Sequence, residues 1–201
     1  MSFIYVNNIL FLHKKQETMK TVILTSFNKD RKQKEELRKS VFKETAFRIK
    51  RGIYCCAEDA LLAMYDFDAV IPNGIMCMWS AWHYYNLCDI IPWSSCIAIE
   101  NHRNVTPPKF PKFDLYYWSK KSLEIGTTTQ IYNGIEFRIF DIERCVIDSI
   151  RFRNKIGIDS TIEIVNNYLE KENKNMELLY NYSKQFHIYN YLKNILILQN
   201  G

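Results

Sequence analysis

Glycine and proline are scarce in this chain, with 6 Gly and 5 Pro in 201 residues. So few leave no material for a low-complexity linker, and 13 Tyr, 12 Phe and 4 Trp argue for packed structure over most of the length. No stretch approaches the roughly 18 to 20 apolar residues that a membrane-crossing helix needs, so no membrane partner is expected. The phosphate-cradling P-loop and the Gly-rich dinucleotide turn are both missing, as is the Gly-x-Ser-x-Gly turn of a serine hydrolase. Six cysteines are present, without a Cys-x-x-Cys pair or a Cys/His cluster at zinc spacing. Cys77, Cys96 and Cys145 lie in apolar runs, where free cysteine behaves as a small core residue, and a reducing cytosol is the simplest setting. No metal and no cofactor is called for.

Positive charge is unevenly placed. Residues 1–52 carry 13 Lys/Arg against 5 Asp/Glu, and residues 53–201 carry 14 against 17. A basic segment joined to a mildly acidic body is the pattern of a chain whose one end meets a polyanion; a solvated charged helix is the plainer alternative. Residues 29–43 read as a helix with Asp30 as cap, and residues 45–54 alternate apolar with basic side chains as a half-buried strand does. Lys34, Arg38 and Lys39 on the helix, with Arg48, Lys50 and Arg51 on the strand, fit the recognition helix and wing of a winged helix-turn-helix. Residues 19–28 look like a strand, so the earlier helices of such a domain are not evident. Residues 1–18 read as a dispensable leader, with Met19 as an alternative start.

Beyond the boundary at residue 54, the pattern is mixed. Residues 57–64 and 75–87 read as helices, 96–99 as a buried strand, and 114–118, 128–132 and 135–140 as strands, the last two joined at Asn133-Gly134. From 141 onward four helices are expected, near 141–154, 159–170, 175–186 and 188–198. The fold class is therefore α+β: a partial winged-helix N-terminal segment, 19–54, followed by a mixed α/β domain, 55–201, with a helical C-terminal tail. Ser80, His83 and Cys77 invite a nucleophile–base reading, but no carboxylate is in local reach and a structural helix is the better account. Asp114, Glu136, Asp141, Glu143 and Asp148 would make a metal-dependent nuclease only if two or three converged with a lysine. Arg144, Asp148 and Arg151 recur at i, i+4 and i+7, the spacing of surface ion pairs that add tenths of a kcal/mol. Arg151, Arg153 and Lys155 form a possible second basic patch.

Several short blocks, in order, resemble the AbiEi family. Arg48-Ile-Lys-Arg-Gly-Ile-Tyr54 is similar to the end of that family's wing. Ile71-Pro-Asn-Gly-Ile75, Trp79-Ser-Ala-Trp-His-Tyr-Tyr-Asn-Leu87 and Ile91-Pro92 resemble the opening of its second domain. Cys96-Ile-Ala-Ile99, the Asn133-Gly134 turn, Phe140–Asp148 and Arg151-Phe-Arg-Asn-Lys-Ile-Gly157 continue the series. The resemblance implies a non-enzymatic antitoxin of a type IV (abortive-infection, phage-defence) toxin–antitoxin system. It would repress its own operon by binding promoter DNA, and would counteract a cognate nucleotidyltransferase-like toxin. Family members place a full winged helix before the Gly-x-Tyr element, whereas here only its last helix and wing are evident. A body-only protein-interaction module without DNA binding is the alternative that this departure opens.

Overall fold

The most apolar stretches of the chain converge on one mixed β-sheet. The computed structural model describes residues 23–25, 31–43, 46–50, 53–56, 64–108 and 110–199. Five strands stand in the order β6-β5-β4-β8-β7: β4 (Ile75–Met76), β5 (Ser95–Glu100), β6 (Phe113–Trp118), β7 (Thr127–Tyr132) and β8 (Ile135–Phe140). The neighbours β5 and β6 run parallel, from Ser95 opposite Phe113 to Glu100 opposite Trp118. β4, at the centre, runs antiparallel to β5 and parallel to β8. The expected hairpin joins β7 to β8, and its turn residues Asn133 and Gly134 both take positive φ, 49° and 79°, as a type I′ turn requires.

The run from Ile75 to Leu87 is not one helix. Ile75 and Met76 are the fully buried central strand, and the helix α2 covers only Met78–Tyr84. An apolar run has no polar face to set a period, so sheet pairing decided its first two residues. Gly74 permits that pairing, because a Cβ there would come within 2.6 Å of the Ile97 side chain. The short helix α3 (Lys120–Glu124), capped by Ser119, was not legible in the sequence.

In the tail, α4 (Ile142–Arg151) and α5 (Arg153–Ile156) replace one expected helix, interrupted at Phe152. They are followed by α6 (Ile158–Leu169), α7 (Met176–Gln185) and α8 (Tyr189–Gln199), close to the expected bounds. α4 is the axle. Asp141 caps it by accepting the Arg144 amide at 2.7 Å, and every residue from Glu143 to Ile150 is buried. It packs on α2, α6 and α7, and Trp82 donates its indole N–H to the Cys145 carbonyl at 2.8 Å. The fold is α+β, and among the described residues no helix is long and apolar enough to cross a membrane.

The N-terminal segment forms a smaller sheet, ordered β1-β3-β2: β1 (Ile23–Thr25), β2 (Ala46–Lys50) and β3 (Ile53–Cys56), all antiparallel, with α1 (Arg31–Phe42) between β1 and β2. The single strand expected over 45–54 is thus two strands of a hairpin. β3 runs to Cys56, past the boundary read at residue 54. The segment 1–18, read as a leader, and all but Met64 of the helix read over 57–64 lie outside the described residues.

Candidate functional site

The basic segment begins with α1, in which seven of twelve residues are charged. Arg38 and Lys39 are exposed. Lys39 pairs with Glu35 at 3.4 Å, with side-chain exposures of 69% and 62%, and an i, i+4 pair that open to water contributes little. Lys34 is placed on the same helix, and positions 31, 34 and 38 recur on one helical face. α1 contacts β2, the edge strand of the small sheet, where Arg48 lies opposite Tyr54 and Lys50 opposite Ile53. Helix and edge strand therefore bring Lys34, Arg38, Lys39, Arg48 and Lys50 into one supersecondary unit. Arg51 lies outside the described residues.

The second basic cluster is differently built. Arg144 is fully buried, although its spacing with Asp148 reads as a surface pair. Its Nε donates to Asp148 Oδ1 at 3.0 Å, Nη1 to the Ser122 and Ile125 carbonyls at 2.8 and 2.6 Å, and Nη2 to Ser122 Oγ at 3.2 Å. Its guanidinium lies 4.2 Å from the Phe186 ring centre and 4.5 Å from that of Phe140. Arg151 reaches the same Asp148 oxygen at 2.6 Å and covers the same Phe186 ring. The expectation of a solvated ion-pair face fails here because the sheet and α7 close over α4. Two cations share one carboxylate, with aromatic faces and carbonyls standing in for water.

Arg151, Arg153 and Lys155 follow one another along the end of α4 and α5, with different contacts. Arg153 turns to the Tyr191 ring, at 3.9 Å, and to the Ile150 carbonyl, whereas Arg151 and Lys155 line a common recess. Nothing in the sequence signalled that recess, because its other walls come from the ends of β5 and β6, far away in the chain.

Most of the residues that could suggest catalysis are engaged in structural contacts. Ser80 Oγ accepts the Cys96 amide at 2.8 Å and donates to the Ser94 carbonyl, while His83 Nδ1 is buried without a hydrogen-bond partner. Burial pushes the Cys77 and Cys145 thiols well above the ordinary range and that of Cys88 up to about 11, so these thiols stay protonated at neutral pH. Asp114 is engaged by the Ser94 hydroxyl. Glu143 accepts the Tyr168 hydroxyl and the Asn175 amide at 3.0 and 2.9 Å. Asp141 accepts the Tyr182 hydroxyl at 2.8 Å, and burial raises its pKa against the pull of these donors. Among the described residues no three His, Cys, Asp or Glu side chains come together as metal ligands would.

No family model matches the chain, and no curated protein matches it.

Proposed function

We propose that this protein is a cytoplasmic antitoxin and autorepressor of the AbiEi type, gripping the promoter DNA of its own operon with its basic N-terminal unit. The body would counteract a nucleotidyltransferase-like toxin of a type IV, abortive-infection system. The observation that carries this reading is the order strand, exposed basic helix, hairpin, with β3 between β1 and β2. That order supports the last helix and wing of a winged helix: such a helix enters the major groove while the hairpin's cations meet phosphates. It also gives the strand at 23–25 a role, since β1 completes the sheet that carries the hairpin.

Electrophoretic shift of the upstream promoter tests the reading. Replacing Lys34, Arg38, Lys39, Arg48, Lys50 and Arg51 together with alanine should abolish the shift at moderate salt. The log–log salt slope should be shallower by about 0.9 for each phosphate that is no longer neutralised. Unchanged promoter binding by the sixfold variant would refute the assignment.

One observation favours the second reading, a body that works by meeting a protein. The loop after α2 leaves Ile91 73% and Trp93 97% exposed, and adjacent exposed apolar side chains of this kind are typical of contact surfaces. Promoter binding by the native protein separates the two readings, since the interaction reading expects none, and toxin rescue in cells tests the interaction reading further. The interaction reading requires rescue to survive in the sixfold alanine variant and to fail in Trp93→Ser.

A further inference from the structure

The carboxyl ends of the parallel strands β5 and β6 open into a recess of about 580 Å³, within the range of small-molecule sites. Crevices at this end of parallel strands are where open sheets commonly take ligands. Its open aromatic surface is Tyr117, which is half exposed; Trp118 also lines it but is buried, with its ring stacked on that of Phe152 at 5.8 Å and 12°. Arg151 and Lys155 stand against the same Phe152 ring, at 5.2 and 5.6 Å. None of the described residues lining the recess is acidic, although the chain from residue 53 onward has more acids than bases.

The hydrogen bonding is directional. Ser119 Oγ already accepts the Ser122 amide, and Ser122 Oγ already accepts from Arg144 Nη2. Each hydroxyl therefore retains its O–H to donate. Arg151 is fixed by Asp148 and Phe186, and that carboxylate is shared with Arg144, so one positive charge of the three groups is left over. Lys155 adds a second. The recess thus combines donors, surplus positive charge and one exposed flat aromatic ring, Tyr117.

We propose that this recess binds a small aromatic anion of the nucleoside monophosphate class. The phosphate lies between Lys155, Arg151 and the two serine hydroxyls, and the base lies on the exposed Tyr117 ring. A concave site with rings suits one base and one phosphate better than the convex backbone of a duplex. The inference does not depend on the basic N-terminal unit.

Calorimetric titration of the full-length protein with AMP, and separately with inorganic phosphate, tests it. AMP is expected to bind one to one and more tightly than phosphate. Lys155→Ala should weaken AMP about tenfold with an unchanged melting temperature, Lys155→Arg should restore most of the affinity, and promoter binding should be unaffected. Absence of saturable AMP binding up to about 10 mM, weaker than any useful affinity, would overturn the proposal. So would equal affinity for phosphate and AMP, or a folded Lys155→Ala that binds AMP normally. If Lys155→Ala weakens duplex DNA binding but not AMP binding, the recess belongs to a nucleic-acid surface and the proposal falls.

Discussion

The helices α1 and α4 carry the same device in opposite surroundings. Each holds an acid–base pair at i, i+4, Glu35 with Lys39 in one and Arg144 with Asp148 in the other. In α1 both partners are more than 60% exposed; in α4 they are 0% and 2% exposed. The exposed pair leaves α1's cations available to a polyanion, and its own contribution to stability is slight. The buried pair cannot be spared, since Arg144 without Asp148 would lack both water and a counter-ion, and Asp148 without Arg144 would keep Arg151 as its one cation. Identical spacing thus yields a surface for binding in one region and a structural pin in the other.

The comparison breaks most directly at Arg144. Arg144→Met should cost about 3–5 kcal/mol, because it strips Asp148 of one cation and orphans the Ser122 and Ile125 carbonyls. For a chain of this size that lowers Tm by roughly 6 to 20 °C. Adding Asp148→Leu to that variant should recover part of the loss. A thermal melt within 2 °C of the native protein for Arg144→Met, a margin of about 1 kcal/mol, would show that the buried pin is not one.

A smaller effect is expected at Asp141. Its carboxyl titrates above its ordinary value of 3.8 in the folded protein, first because of burial. The folded state therefore holds a proton that the unfolded state releases, and stability falls as pH rises from near 3.8 through the raised folded value. Asparagine caps a helix as well as aspartate does and carries no charge. Melting curves of Asp141→Asn should accordingly gain on the native protein as pH rises through that window. A constant or shrinking difference would contradict the raised pKa.

At Lys39 the smallest effect is expected. Lys39→Ala should change stability by only about 0.3–0.5 kcal/mol, while weakening promoter binding and lowering its salt slope by about one unit. A loss comparable to that at Arg144, measured by denaturant melts, would mean that the two helices do not differ as described.

Much of the fold was legible along the chain. The hairpin at Asn133-Gly134 follows from turn chemistry, and the tail helices follow from periodicity, because those signals are local. The interruption at Phe152 and the splitting of Ile75–Leu87 were not legible, since neither has a breaking residue; packing against the sheet decided them. Of the site, the basic character of α1 and β2 was visible in composition. The recess was not, because Asn101, Ser119 and Lys155 meet only after β5, β6 and α5 are assembled.

By itself the sequence determined the α+β class, the uneven charge and the position of most helices, all of which follow from local spacing and composition. Only the tertiary structure decided which charges face water. Arg38 and Arg144 are alike as side chains, but the energy of a charge depends on the dielectric and the partners around it, and those are supplied by residues distant in the chain.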